Sequence, residues 1–254
     1  MNTLRLITSK CVLHLSVLVA LALPFTGFSG AASATLIHQY TFDSGSVATD
    51  SVGGANGTLF GGAAIVGGQL SLDGSTGYVE TLGNHIVPIS GDFTVSMFAK
   101  QTAFGAAYVE LISQQRLPLG GNFYIGYDPS HNIRITDAHT STTIAFPTDG
   151  AYHDYALTLA GSTADFYIDG LLQGTFSGID RGPGGSDTRF GRQYDGHSEF
   201  FNGFMDNIQI WDTALSAAEI AAIANPSAVP EPGTIALVGL GLAGIGFSWR
   251  KRAV

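Results

Sequence analysis

The residues of this chain best placed to do chemistry are carboxylates set among apolar neighbours. Phe204, Asp206, Ile208 and Ile210 recur at every second position, the period of an extended strand, so Asp206 is expected on the same side as three apolar side chains. A carboxylate turned toward a core is costly unless it is paired, hydrogen-bonded or bound to a cation. Asp43, after Tyr40 and Phe42, closes another alternating run, and the Gly- and Ser-rich stretch from Ser44 to Gly54, with Asp50, could offer carbonyl oxygens. Calcium takes its ligands from such carboxylates and carbonyls, which makes Asp43 and Asp206 the candidate metal ligands. The alternative is that Asp43 caps a turn and Asp206 accepts backbone N–H groups. Catalytic spacing is missing: Glu110 stands alone in its strand, and neither a Gly-x-Ser-x-Gly elbow nor a His-Glu-x-x-His pair occurs. His131, His139, His153 and His197 are scattered along the chain. Tyr124, Tyr127, Tyr152, Tyr194, His197 and Phe200 fall in or beside expected loops, where flat rings could stack on sugars; the alternative for them is core or rim packing.

These side chains need a scaffold, and the patterning gives strands. Runs near 36–42, 69–72, 77–81, 93–99, 107–113, 122–127, 131–137, 142–146, 153–160, 163–169, 171–176, 187–191 and 200–211 are separated by Gly-, Asp- and Asn-rich turns. Phe93, Val95, Met97 and Ala99 share one face, as do Leu36, His38, Tyr40 and Phe42. Asp169-Gly170 predicts a tight hairpin, and Gly182–Ser186 a rim loop. After Trp211 the period changes: Ser216 and Glu219 have capping-box spacing and open a short Ala-rich helix at which the folded domain should end. An all-β antiparallel two-sheet sandwich follows.

Both ends of the chain differ from this body. Arg5 and Lys10 precede an apolar run through Leu23, and Ala32-Ser33-Ala34 offers a small-x-small cleavage site, so residues 1–34 are expected to be a secretory signal peptide cut after Ala34. The run is broken by His14 and followed by Pro24, short of the roughly 20 apolar residues of a membrane span. Cys11, the single cysteine, lies in the part to be removed, so the exported protein should lack disulfides. At the other end Val229-Pro230-Glu231-Pro232 precedes an apolar, Gly-rich run over 233–249 and the basic cluster Arg250-Lys251-Arg252. That run is just long enough for a transmembrane helix, and the basic cluster keeps the C-terminus cytoplasmic. Of 11 basic residues five lie in these two ends, and of 20 acidic residues only Glu231 does, leaving 6 against 19 and a net charge near −13. Such a surface repels phosphate backbones, which excludes nucleic acid as a partner.

The segment FNGFMDNIQIWDTALSAAEI resembles the closing strand and helix start of laminin-G-like, concanavalin-A-like jelly rolls. YTFDSGSVATDSVGGANGTL, LSLDGSTGYVET, GDFTVSMFAK and ADFYIDGLLQG agree with the family's earlier blocks in order, so the resemblance covers residues 36–224. It departs at Tyr152-His153, where the family has Trp-His, and near Phe98, where it has Trp. The resemblance implies a jelly-roll domain over 35–225, with the first and last strands adjacent and a structural calcium at positions matching Asp43 and Asp206. It also implies comparison with jelly-roll glucanases, whose carboxylate cluster on one strand, set for a pair about 5 Å apart, has no counterpart here. The order Pro-Glu-Pro, apolar helix, basic tail over 226–254 resembles the PEP-CTERM sorting signal of Gram-negative bacteria and implies an exosortase and the secretion machinery as partners. Together these imply an exported, transiently membrane-anchored, non-catalytic protein of the cell surface or matrix that binds extracellular polysaccharide or a surface protein. The alternatives are a glycan hydrolase or lyase on the same scaffold, and a protein-binding adhesion module.

Overall fold

Period-two alternation becomes antiparallel strands almost everywhere it occurs. The computed structural model describes residues 34–43, 45–105, 107–114, 123–135, 140–179, 187–193 and 198–225. Ala32, Val229–Pro232, the 233–249 run, Arg250–Arg252, His139, Tyr194 and His197 lie outside these residues. The strands are β1 (Leu36–Tyr40), β2 (Thr58–Phe60), β3 (Ala64–Ile65), β4 (Leu70–Asp73), β5 (Tyr78–Glu80), β6 (Phe93–Gln101), β7 (Val109–Gln114) and β8 (Phe123–Tyr127). They continue with β9 (Asn132–Ile135), β10 (Thr140–Ala145), β11 (His153–Ala160), β12 (Thr163–Ile168), β13 (Leu171–Ser177), β14 (Thr188–Phe190) and β15 (Asn202–Trp211). One helix, α1 (Ala217–Ala224), follows. Among the described residues no helix is long and apolar enough to cross a membrane.

An eight-stranded sheet runs β13-β12-β11-β6-β15-β4-β3 with β1 also on β15, and a seven-stranded sheet runs β10-β9-β8-β7-β14-β5-β2. Their inner faces make one core. Phe93, Val95, Met97, Leu157 and Phe166 of the larger sheet pack with Val79, Phe123, Ile125, Ile133 and Phe190 of the smaller, all fully buried or nearly so. Each such side chain contributes about 1.5–3 kcal/mol over leaving it in water. Rings lock the layers edge to face, Phe93 on Phe123 at 5.7 Å and Tyr40 on Phe190 at 5.0 Å between centroids. The expected Asp169-Gly170 hairpin is present, with φ of 52° and 76°. β2 and β3 were not expected, because two or three residues among glycines show no period.

β15 corrects the expected orientation of Asp206. Its pairing with β6 shifts register between Asp206 and Gln209, and Asn207 takes a left-handed φ of 48°. This bulge adds a residue and re-phases the strand. Met205, Ile208 and Ile210 therefore face the core, while Phe204 and Asp206 are only half-buried and turn to the outer face. The free side of β15 is shared: Asn202–Met205 pair with β4, Ile208–Trp211 with β1, and Asp206-Asn207 falls in the gap between them.

α1 has the capping box the spacing predicts. The Ser216 hydroxyl accepts the Glu219 N–H, and the Glu219 carboxylate accepts the Ser216 N–H at 2.7 Å. The helix lays Ile220 and the preceding Leu215 on Ala156 and Tyr167 of the larger sheet's outer face, beside Trp211. A side chain at Gly170 would strike the Ala221 backbone, so the hairpin and the helix approach each other only through glycine.

Candidate functional site

Asp43 reaches the gap in β15 from β1. Past Tyr40 the chain bends through Phe42, whose φ of 52° is costly for a bulky residue, and Asp43 accepts the Thr41 hydroxyl at 2.6 Å. A cleft of about 200 Å3 opens beside Asp43, lined by Thr41, Phe42, Asp43, Thr49 and Ser51 and by no residue of β15. Burial pushes the Asp206 carboxyl above its usual range; the Asn207 N–H bond opposes this and the negative charge of Asp43 adds to it. The two expected ligands are thus close enough for one charge to act on the other, and two left-handed non-glycine residues frame them. Two carboxylates alone are fewer than the six to eight oxygens calcium takes, and among the described residues no cluster of three His, Cys, Asp or Glu could hold a metal. Carbonyls would have to complete the set. Asp50 is otherwise occupied, since its carboxylate takes the N–H groups of Gln39, Val52, Gly53 and Ala55 and meets His38 Nδ1 at 2.7 Å. Although burial works against its charge, these bonds hold it below the usual carboxylate range and fix the loop after β1.

On the outer face of the seven-stranded sheet Glu110, which stands alone in its own strand, is joined by charges from other strands. Glu110 on β7 is fully buried, with Arg134 of β9 at 3.4 Å, and Glu199 approaches the same guanidinium nitrogen at 3.6 Å. Arg134 lies over the rings of Tyr108, at 4.4 Å, and Tyr124, at 4.9 Å. Gly126 on the intervening β8 makes this possible, because a side chain there would strike the Val109 carbonyl and the Glu110 carboxylate. Arg189 of β14 donates to Glu80 Oε1 from Nε at 3.0 Å and from Nη2 at 2.8 Å. Arg192 lies over Tyr78 and Phe200, and Tyr78 stacks on Phe60 at 4.9 Å. The face is a row of rings and guanidinium planes held by carboxylates.

The expected aromatic ligand face is revised accordingly. Tyr124 belongs to this face but is covered, and Tyr127 points its ring into the core against Phe146 while its hydroxyl meets the Gln101 amide. Both sit inside β8, not in loops, because Phe123, Ile125 and Tyr127 alternate inward. Tyr152 donates to Gln69 at 2.5 Å on the other sheet. The larger sheet holds a further charged group at the start of β11. His153 bridges Asp169, at 2.7 Å from Nδ1, and Asp149, at 3.0 Å from Nε2. Asp154, bonded to the Ser96 hydroxyl, has its carboxyl pushed up to about 7 by burial, with the Asp169 charge adding and the Ser96 bond opposing.

Two antiparallel sheets in this order, with the long last strand seated beside the first, define a laminin-G-like jelly roll. The chain belongs to the Concanavalin A-like lectin/glucanases superfamily, whose family model matches residues 73–221. A PEP-CTERM protein-sorting motif matches residues 228–252, which marks the chain for export and exosortase processing at the membrane. No curated protein matches it. Similar solved structures include a Trypanosoma rangeli sialidase in complex with 2,3-difluoro-KDN, with 19% identity, a TM-score of 0.63, and coverage of 83% of this chain and 36% of the sialidase. Domain 4 of AbnA, a GH43 extracellular arabinanase from Geobacillus stearothermophilus, in complex with arabinotriose, has 17% identity and a TM-score of 0.62, covering 76% of this chain and all of that domain. The binding domain of Paraclostridial Mosquitocidal Protein 1 has 16% identity and a TM-score of 0.59, covering 76% of this chain and 52% of that one. The chain spans about a third of the length of the sialidases it matches. At these identities the likeness is one of fold.

Proposed function

We propose that the protein is a non-catalytic glycan-binding module of the cell surface or extracellular matrix of a Gram-negative bacterium, released from its C-terminal anchor by an exosortase. The observation that carries this reading is the outer face of the seven-stranded sheet. Tyr78, Phe200 and Tyr108 lie on this face: Arg134, over Tyr108, is held by Glu110 and Glu199, Arg189, over Tyr78, is held by Glu80, and Arg192 lies over both Tyr78 and Phe200. Rings fixed in this way bind flat sugar faces with little ordering cost. The similarity to a domain in complex with arabinotriose supports the same ligand class.

A glycan hydrolase is the second reading, because Glu110 and Glu199 converge on one nitrogen of Arg134. Retaining hydrolysis needs two carboxyl groups facing a scissile bond, and both of these face an arginine instead. Incubating the full-length protein with arabinan, xylan and cellulose separates the readings: retention without new reducing ends is expected, and release of reducing ends would overturn it. Retention on a surface protein but on no glycan would favour an adhesion module.

We further propose that calcium joins Asp43 to Asp206. The support is the carboxylate pair at the gap in β15, where a cation would offset both desolvation and mutual repulsion. In that position the ion would tie β1 to β15 as a cross-link does in a chain without disulfides.

A further inference from the structure

A second cleft, of about 270 Å3, opens at one end of the sandwich, where β6 ends and β7 and β15 begin. Phe104 and Tyr108 form its rim and are 36% and 45% exposed, high for large rings, with Phe200 beside them. The rim is fixed in place: Phe104 packs edge-on against His131 at 5.7 Å, and His131 Nε2 lies 3.3 Å from the Gly105 carbonyl. Thr102 is held by Asn202 through its N–H and its hydroxyl.

The floor is polar. Gln101 is 4% exposed, and its amide nitrogen spends both hydrogens, one on the Ala103 carbonyl at 2.8 Å and one on the Tyr127 hydroxyl oxygen. This fixes the orientation of the amide, and Oε1 is left buried with no hydrogen-bond partner among the described residues. Tyr127 Oη, accepting from Gln101, keeps its own hydrogen to give. Burial holds that phenol above its usual pKa, against the bond from Gln101, so it stays a donor. A donor and an unsatisfied acceptor side by side, below aromatic rings, match one hydroxyl group that both accepts and donates. Among the described residues none that lines the cleft is charged. Of the arginines nearest the rim, Arg134 over Tyr108 is paired with Glu110 and Glu199, and Arg192 lies over Phe200.

We propose that this cleft is a binding site for one neutral sugar residue, which stacks on Tyr108 and Phe104 and places a hydroxyl between Tyr127 Oη and Gln101 Oε1. The volume is near the roughly 300 Å3 lower bound of small-molecule sites and suits a single ring, so the site holds a chain end or side branch in place of a long internal segment. The described lining carries no charge, so a uronate carboxylate seated in it would be desolvated with no cation among the lining residues, which favours neutral sugars. This inference rests on the glycan-binding reading and names the part of the surface that recognises the ligand.

The test is affinity electrophoresis of the full-length protein in gels containing xylan, hydroxyethylcellulose, dextran or polygalacturonate. Retardation by at least one neutral polymer and none by polygalacturonate is expected. Tyr108→Ala and Gln101→Met should each weaken it about tenfold, the scale of one lost stacking or hydrogen-bond contact. Leu171→Ala, at an exposed position of β13, should bind as the parent does. Tyr108 is exposed, so its removal leaves the core intact; Gln101→Met is read only if its melting curve stays cooperative. Retardation that neither variant changes would overturn the site and leave the glycan-binding module standing. Retardation by polygalacturonate alone would do the same. No retardation by any polymer would overturn both.

Discussion

At Asp154 the fold changes the chemistry of a single carboxyl. It is 1% exposed, Ser96 is its side-chain partner, and Oδ1 has no hydrogen-bond partner within the described structure. An aspartate titrates near 3.9 in the unfolded chain, and here burial brings it to about 7. The folded state thus holds the proton more tightly than the unfolded one, so this group's contribution is greatest at or below pH 4. It is lost as pH rises through 7, and linkage makes the loss a few kcal/mol at most. His153 adds a slope of the same sign. Burial works against its charge, but Asp169 and Asp149 outweigh this and raise its pKa, so its contribution is present below about 6.5 and lost above its folded value. Melting temperatures between pH 4 and 8 should therefore fall. Asp154→Asn should flatten most of that fall and raise the melting temperature at pH 8, and an unchanged slope would mean that Asp154 is ionised in the fold. Asp206 is tested with a cation. Calcium should raise the melting temperature by mass action, about 2.7 kcal/mol at a hundredfold excess over its dissociation constant, and a chelator should reverse the gain. Asp206→Ala should abolish the difference, whereas identical curves with calcium and chelator would leave Asp206 as a bulge residue bonded to Asn207.

Among the elements, α1 is the most exposed to a single change. Ser216→Ala removes the hydroxyl that accepts the Glu219 N–H and should cost about 1 kcal/mol, or roughly 2–4 °C for a domain of this size. A larger loss would mean that the cover over Ala156 and Tyr167 leaves with the helix turn. The cap was legible because Ser-x-x-Glu is a local code, and the strands were legible because apolar residues alternate. The side to which Asp206 points was not: a bulge costs one residue of register, and nothing before Asn207 marks where it falls. The Glu110–Arg134 pair was hidden for another reason. Each is a lone charge in an apolar strand, Glu110 before Leu111-Ile112 and Arg134 between Ile133 and Ile135, and only the order β7-β8-β9 sets them side by side. Two opposite charges in apolar strands on either side of β8 were the available signal. For Tyr127 the strand over 122–127 was legible, but Gly126 and Asp128-Pro129 beside it hid that its ring turns inward and only its hydroxyl meets Gln101.

On the scale of the whole molecule, the sorting motif at 228–252 gives a direct expectation. In fractionated cells the mature protein should lack the segment beyond Pro232 and appear at the surface or in the matrix, while Pro230→Ala with Glu231→Ala should hold the intact chain in the inner membrane. Finding the unaltered chain intact in that membrane at steady state would overturn exosortase release. The pairing of β1 with β15 sets a timetable for this route. Thr35 and Asp212 exchange hydrogen bonds, Thr35 N–H to the Asp212 carboxylate at 2.9 Å and Asp212 N–H to the Thr35 carbonyl at 3.1 Å. β15 also separates β6 from β4 in the middle of the larger sheet. A chain threaded across a membrane from its N-terminus delivers β1 first, yet that strand has no ladder until some 170 residues later, when the last strand arrives. Until then the larger sheet lacks its central member and the emerging polypeptide stays open. Completion of the sandwich thus waits on the segment that directly precedes the sorting motif, so folding finishes only as the signal for release follows it across.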